Sequence, residues 1–168
     1  MPVPPVPVAE PALAFCHHDH DRCSDALLAD ADALTEERGA RLTPVRRRVL
    51  EILLEEHRAL GAYEVLERLV KDGFGNQPPV AYRALDFLVE QGLAHRISRL
   101  NAFMACMQPG KDHSPAFFIC ERCNSVAEAP GQAIGQAVAG AADCIGFAAK
   151  RVTVEVLGIC PSCAESQP

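Results

Sequence analysis

Two Cys-x-x-Cys pairs, Cys120 with Cys123 and Cys160 with Cys163, are the strongest chemical signal in this sequence of 168 residues. Four thiolates at this spacing can close a tetrahedral zinc site that keeps no open coordination position. A disulfide pair or a redox Cys-x-x-Cys motif is the alternative. Because no secretory signal is visible, we expect a cytoplasmic protein whose thiols stay reduced. The pairs therefore predict a structural zinc ion.

A second set of potential ligands is scattered through the middle of the chain: His95, Cys106, His113 and Glu128. Taken singly, a histidine or cysteine in a strand is more often a surface or core residue than a ligand. These four flank a predicted domain boundary, so they can meet only if two domains close on each other. Two imidazoles, a thiolate and a carboxylate suit tetrahedral zinc better than iron(II) or manganese.

A third cluster of His and Cys precedes the first predicted helix. Its potential ligands are Cys16, His17, His18, His20 and Cys23. Such a composition binds metal readily. It adjoins a proline-rich stretch that predicts a disordered arm, and a solvated polar tail is an equally good interpretation. We expect an accessory zinc site here at most.

Four predicted helices and a β-hairpin precede the predicted domain boundary, and the hairpin carries two ligands of the second set. Apolar residues recur at helical spacing in four segments, which start near Ser24, Thr43, Ala62 and Pro78. Thr43 followed by proline is typical of a helix start, and Gly39 of a helix end. After the fourth helix, residues 93–98 and 102–107 are typical of a β-hairpin. Helices in this order with a hairpin appended predict a winged helix-turn-helix.

A smaller unit follows the winged helix. Strands are predicted at 116–120, near Val126 and at 151–157, with a helix carrying Ile134 and Val138. About 55 residues form a marginal core that needs a metal or a partner chain. The predicted fold class is α+β. Its parts are a Pro-rich arm at 1–23, a DNA-binding winged helix at 24–107, a hinge at 108–114 and a zinc-binding unit at 115–168.

Positive charge is concentrated in the predicted winged helix. The chain carries net −6, but residues 34–110 hold eleven Lys and Arg against ten Asp and Glu. A local basic face matters more to DNA than the total charge. Arg83 and Tyr82 lie on the fourth helix, opposite its apolar stripe, and can reach a base edge or a phosphate. Further phosphate contacts are predicted for Arg46, Arg47, Arg48, Arg96 and Arg99. Two acids on the fourth helix favour the alternative of a solvated face, but the arginines and Tyr82 together favour DNA contact.

Other classes of protein find little support. The sequence contains no G-x-S-x-G, P-loop or H-E-x-x-H motif, so we expect neither an enzyme nor a small-molecule substrate beyond a metal ion. The longest apolar stretch, 131–149, contains Gln132, Gln136 and Asp143, which a membrane span tolerates poorly. We therefore expect no membrane segment.

Several motifs in order resemble the ferric uptake regulator family. They are 41–46 (RLTPVR), 62–64 (AYE), 81–93 (AYRALDFLVEQGL) and the paired Cys-x-x-Cys. The resemblance runs from about Leu27 to Cys163. Residues 82–88 and 118–123 are most similar to the family's zinc-uptake-regulator branch. It implies a dimeric repressor of zinc uptake genes that binds an AT-rich inverted repeat in double-stranded DNA when zinc-loaded, with the smaller unit as the dimerisation domain.

The resemblance also implies roles for individual residues. Regulatory zinc ligands fall on His95, Cys106, His113 and Glu128, structural ligands on the four Cys-x-x-Cys cysteines, and DNA contacts on Tyr63 and Arg83. Val80 and Ala81 stand where the family usually has Thr-Val, which removes a hydroxyl that could cap the fourth helix or touch a phosphate. The alternatives are an iron, manganese or peroxide sensor of the same family, a zinc-storage or interaction module, and a thiol redox enzyme.

Overall fold

The computed structural model describes residues 20–56, 58–111, 113–150 and 152–166, with side chains from Ser24 onward. The proline-rich arm and the predicted ligands Cys16, His17 and His18 lie outside the described residues, as do the side chains of His20 and Cys23. Within the described segments, no helix combines the length and apolar character that crossing a membrane requires.

Four helices form the N-terminal part: α1 (His20–Glu37), α2 (Pro44–Leu54), α3 (Ala62–Lys71) and α4 (Pro78–Glu90). The helix predicted from Ser24 begins four residues earlier, because neither glycine nor proline interrupts that stretch. Gly39 ends it with a left-handed backbone (φ +65°) as predicted. The predicted start of α2 is also confirmed, since the Thr43 hydroxyl accepts a hydrogen bond from the Arg46 amide.

Burial of one face of each helix holds these elements together. The fully buried side chains in this core include Val49, Ile52, Val65, Leu69, Leu85 and Leu88. Helices α2 to α4 have 10 to 13 residues, a length that is marginal for an isolated helix in water. Their stability therefore comes from this shared core, which fixes α4 against α2 and α3.

The predicted hairpin is confirmed as the wing. Strands β2 (Ala94–Ile97) and β3 (Ala102–Ala105) pair antiparallel, and β1 (Leu60–Gly61) adds to β3, giving the order β1-β3-β2. The sequence analysis missed β1 because two residues are too few for any periodic pattern. Asn101 closes the β2–β3 turn in a left-handed conformation (φ +47°), which asparagine tolerates better than most residues.

The C-terminal part is a small α+β unit. It contains β4 (Pro115–Cys120), β5 (Val126–Pro130), α5 (Gln132–Cys144), β6 (Val154–Gly158) and α6 (Pro161–Glu165). The sheet order is β5-β4-β6, with β4 antiparallel to β5 and parallel to β6. The strand predicted at 151–157 starts later, at Val154, and the short α6 was not predicted. The α+β fold class, a winged helix followed by a smaller unit, is confirmed.

The second sheet packs on the wing through an apolar cluster that crosses the junction. Phe117, Ile119 and Val126 lie against Ile97 and Met104 of the wing. In α5, by contrast, Ala142 alone is buried, and Ile134 and Val138 are each 40% exposed. The C-terminal unit thus shares its core with the wing and leaves its helix largely uncovered.

Candidate metal centres and nucleic-acid interface

The two Cys-x-x-Cys pairs meet as predicted. Cys120 and Cys123 flank the turn after β4, while Cys160 and Cys163 lie at the start of α6, and their four sulfur atoms are within 4.8 Å of one another. The Sγ atoms of Cys123 and Cys160 are 3.7 Å apart. Tetrahedral coordination with Zn–S bonds of about 2.3 Å gives an S–S separation of about 3.8 Å. The geometry therefore fits a closed zinc site.

Hydrogen bonds lower the pKa of two cysteines in this cluster and so favour the thiolate form that binds a cation. The backbone amides of Cys160 and Cys123 point at the Cys120 sulfur and lower the pKa of Cys120 to about 6. Contacts with Ser125 lower the pKa of Cys123. The neighbouring sulfur of Cys160, followed by that of Cys123, raises the pKa of Cys163 to about 12. Thiolates this close repel one another, so all four can ionise together only around a positive ion.

The second predicted set also meets, at the junction of the two parts. His95 lies on β2, Cys106 directly follows β3, His113 lies in the connecting segment and Glu128 on β5. Their donor atoms lie within 4.8 Å of one another. We call these four residues the junction cluster. Two of its donors come from the wing and one from the C-terminal sheet, so the cluster exists only while the two parts are in contact.

Distances within the junction cluster match tetrahedral coordination. Cys106 Sγ lies 3.5 Å from His113 Nε2, and Zn–S and Zn–N bonds of about 2.3 and 2.0 Å at a tetrahedral angle also give about 3.5 Å. Glu128 Oε1 lies 2.9 Å from His113 Nε2, and Glu128 Oε2 lies 3.5 Å from His95 Nε2. One ion can therefore reach all four donors.

The buried nitrogen of His95 supports the same conclusion. His95 Nε2 is buried and has no hydrogen-bond partner in the described structure, which is costly for a polar atom unless another ligand satisfies it. Neighbouring backbone groups orient the other donors. His113 Nδ1 lies 2.8 Å from the Lys111 carbonyl, and the Met107 amide donates to Glu128 at 3.1 Å. Such contacts are typical around metal ligands, although the sequence alone gave no sign of them.

Burial and charge set the protonation of the junction cluster. Burial, reinforced by the Glu128 carboxylate, raises the pKa of Cys106 to about 12. Burial opposes ionisation of Glu128 as well, but His95, the Met107 amide and His113 together lower the pKa of Glu128 below its usual range. A cation would favour the thiolate of Cys106, so binding of zinc must release its proton.

Two of the predicted DNA-contacting residues, Tyr63 and Tyr82, lie together on an exposed surface. Tyr63 on α3 and Tyr82 on α4 are 66% and 42% exposed, and their rings form an edge-to-face pair with centroids 6.5 Å apart. Arg83 is exposed beside Tyr82, and Arg96 is exposed on the wing, where it bonds Asn101. Exposed aromatic rings without a covering element, next to an arginine, suit contact with a phosphate backbone or a base edge.

The three arginines of α2 have partners within this chain. The Arg46 guanidinium lies 3.5 Å from the centre of the Phe87 ring and bonds the Arg41 carbonyl. Arg47 pairs with Asp32. Arg48 forms ion pairs with the carboxylates of Glu51, Glu55 and Asp72. Contact with phosphate by these arginines therefore stays a prediction, and it would require these interactions to be exchanged or shared.

The predicted loss of a cap at Val80 is wrong. Helix α4 begins at Pro78 with Gln77 as its N-cap, so Val80 is the third helical residue. A hydroxyl at that position would not cap the helix, although it could still face a phosphate. The N-cap Gln77 makes no side-chain capping bond, and the two prolines of the first turn set the start of the helix.

A winged helix joined to a small α+β unit, with a four-donor cluster at the junction, is the architecture of metal-responsive DNA-binding regulators. The chain belongs to the ferric uptake regulator family, whose model matches residues 37–157. It is 37% identical over 142 residues to the zinc uptake regulation protein of Escherichia coli (strain K12), covering 83% of this chain and 82% of that protein. The resemblance inferred from the motifs is thereby confirmed, and with it the expectation of a regulator and not an enzyme.

Solved structures of similar proteins extend this result. A zinc uptake regulator complexed with zinc and DNA has a TM-score of 0.81 at 35% identity, over 84% of this chain and 95% of that chain. The holo form of the protein XcZur has a TM-score of 0.78 at 35% identity, over 84% of this chain and 99% of that chain. Its apo form, at the same identity over 85% and 99%, reaches only 0.50. By overall superposition, this chain is more similar to the holo form than to the apo form.

Proposed function

We propose that this chain is a zinc-responsive transcriptional repressor that acts in the cytoplasm as a homodimer. In this proposal it binds an AT-rich inverted-repeat operator when zinc-loaded and controls genes for zinc uptake. The observation that carries this proposal is that the four donors of the junction cluster come from both parts of the chain. The cluster therefore joins the wing to the C-terminal sheet. The zinc-uptake regulators named above, one of them complexed with zinc and DNA, support the same function.

The positions of the junction-cluster donors explain how metal binding could control the orientation of the DNA-binding helix α4. His95 and Cys106 are held at the base of the wing, and Glu128 projects from β5 of the other sheet. The wing shares one core with α4, because Phe103 of β3 belongs to the same apolar cluster as Leu85 and Leu88. Holding all four donors together therefore fixes the direction of α4 relative to the C-terminal unit.

We propose two zinc ions per subunit with different tasks. Zinc, when bound, supplies a positive centre that satisfies four donors at once. All four cysteine donors lie in the C-terminal unit. They keep β4 and α6 together, which is a structural task. The junction cluster spans the two parts and includes a carboxylate and two imidazoles, so its assembly depends on how the parts are arranged. This cluster is the proposed sensor.

The exposed apolar surface of the C-terminal unit supports a dimer. Ile134 and Val138 of α5, Phe118 of β4 and Val156 of β6 are each 36% to 40% exposed. A monomer rarely leaves a helix and an adjoining sheet uncovered in this way. In a two-fold dimer the same surface of both subunits would cover itself. The two α4 helices could then reach successive major grooves, about 34 Å apart.

A DNA titration under buffered zinc tests the proposal. The full chain would be titrated onto a labelled AT-rich inverted repeat at fixed salt, with binding followed by fluorescence anisotropy as free zinc is raised. We expect affinity to rise with zinc, and not with iron(II) or manganese(II) at comparable free concentrations. Affinity independent of all three metals would refute the regulator and leave a zinc-storage or interaction module. A response to iron(II) or manganese(II) alone would refute zinc as the sensed metal.

A further inference from the structure

A carboxylate of the C-terminal sheet binds the backbone of the wing turn, next to the apolar contact that Leu100 makes with the same sheet. Glu155 of β6 accepts hydrogen bonds from the backbone amides of Ser98 and Arg99, at 2.7 and 3.0 Å, one on each oxygen. These amides belong to the turn between β2 and β3. Two successive amides aimed at one carboxylate form an anion-binding arrangement, and bonds to an ionised acceptor are stronger than neutral ones.

This contact and the junction cluster act on the same strand. Ser98 follows β2 directly, and His95 lies three residues before it. On the opposite side, Glu155 is paired in register with Phe117 of β4, whose ring centroid is 5.2 Å from that of His95. The carboxylate thus holds one end of β2 against the sheet, while His95 faces its partners from the middle of the strand.

Glu155 requires no metal to make its contact. None of its bonds involves a junction-cluster residue, and the two amides are backbone groups that the wing presents whatever its side chains. Glu155 also places a negative charge on the wing, beside the exposed side chains of Arg96 and Arg99. On charge alone, a carboxylate at this place opposes the approach of DNA, so it needs a compensating role.

We propose that Glu155 is a positioning residue that docks the wing turn on β6, so that His95 is already placed for the junction cluster before zinc binds. This inference rests on the proposed function. A docked wing leaves less conformational freedom for zinc to remove, so zinc binds more tightly and less free zinc is needed to switch on DNA binding. Glu155 bonds none of the metal donors, and its contact with the predicted phosphate-binding residues is limited to the backbone amide of Arg99.

The direction of the change in DNA affinity distinguishes a docking role of Glu155 from an effect of its charge alone. Glu155→Gln keeps the size of the side chain and removes its charge, and Glu155→Ala removes the acceptor altogether. Glu36→Gln on α1 is the matched control, because Glu36 is exposed and its side chain makes no hydrogen bond or ion pair within the described segments. If charge alone mattered, all three variants would bind DNA equally well or slightly better than the wild type.

Two titrations on the full-length variants decide between these possibilities. Zinc affinity of the weaker site would be measured by competition with a chromophoric chelator, and DNA affinity by anisotropy across a series of zinc buffers that includes none. We expect Glu155→Ala to lose about tenfold in zinc affinity and therefore to need about tenfold more free zinc for half-maximal DNA binding, within the usual range of such coupling. Glu155→Gln should lose less, and Glu36→Gln nothing.

The same data separate this inference from the function on which it rests. A wild type that ignores zinc would refute the proposed function itself. A zinc-responsive wild type with unchanged zinc and DNA affinities in both Glu155 variants would refute the positioning role alone. If both variants lost DNA affinity equally with and without zinc, Glu155 would merely stabilise the fold, which also refutes the proposal. Should Glu155→Ala fail to fold, the isosteric Glu155→Gln decides.

Discussion

Replacing the thiol of the junction cluster should separate sensing from folding. In Cys106→Ser a hydroxyl takes the place of a sulfur that lies 3.5 Å from His113 Nε2. Loss of a partner that only orients a ligand costs about 10- to 100-fold in metal affinity, so loss of a ligand itself should cost at least about 100-fold. DNA affinity at zinc levels that saturate the wild type should then fall by the coupling factor, about 5- to 150-fold.

The fold should survive this substitution. Cys106 is 2% exposed, and a buried hydroxyl without a partner costs about 1–3 kcal/mol, which is less than the 5–15 kcal/mol of stability that is usual for a domain. The His113 and Glu128 side chains next to it can also bond the new hydroxyl. Circular dichroism should therefore report native structure, and metal analysis after mild chelation should find one zinc per chain, held by the four cysteines.

The assay compares wild type, Cys106→Ser and the control Cys144→Ser by anisotropy across a series of zinc buffers. Cys144 is exposed at the end of α5 and belongs to neither cluster, so its replacement should leave the zinc midpoint unchanged. A wild-type midpoint in Cys106→Ser would refute the assignment of the junction cluster as the sensor. Loss of native structure in that variant would show that the cluster is required for folding.

Three more perturbations test other parts of the structure. Cys120→Ser should unfold the C-terminal unit or abolish the dimer, since a structural zinc site contributes about 10–16 kcal/mol in small zinc-binding domains; native circular dichroism with full DNA binding would contradict this. Gly131→Ala should destabilise the chain by about 1–3 kcal/mol, because the added methyl would lie 2.5 Å from the Ser114 carbonyl oxygen, and an unchanged Tm would disprove the clash. The bond to Arg68 lowers the pKa of Glu56 below 4.5, so its ionised form stabilises the fold above that pH and the contribution is lost as pH falls through the folded value. The Tm difference between wild type and Glu56→Gln should accordingly shrink on acidification, and a constant difference would show that charge plays no part.

Local patterns determined most of the helices and the donor sets. Thr43 followed by Pro44 defines a helix start through its own hydroxyl, and Gly39 ends a helix because it alone takes a left-handed backbone easily. Such signals act within one turn of chain, so sequence reasoning can find them. The two Cys-x-x-Cys pairs belong here as well, because each places two sulfurs on one turn whatever the rest of the fold.

Elements without a local signal were not predictable. Strand β1 has two residues and α6 has five, too few to show a period, and both exist because a neighbour supplies their partners. The pairing of Arg48 with Asp72 likewise depends on the packing of α2 against α3. From the sequence, that arginine is indistinguishable from one that is free to bind phosphate.

The sequence by itself determined which residues could bind metal, and the tertiary structure alone decided that they meet. His95 and Glu128 are 33 positions apart and belong to different sheets, which come together because Phe117 and Ile119 bury their side chains against Ile97. No periodicity encodes that contact, since apolar burial is non-directional and any suitable face could satisfy it. The bond from Glu155 to the Ser98 amide has the same origin: its donor is a backbone group common to almost every residue, and only the packed fold selects which one it is.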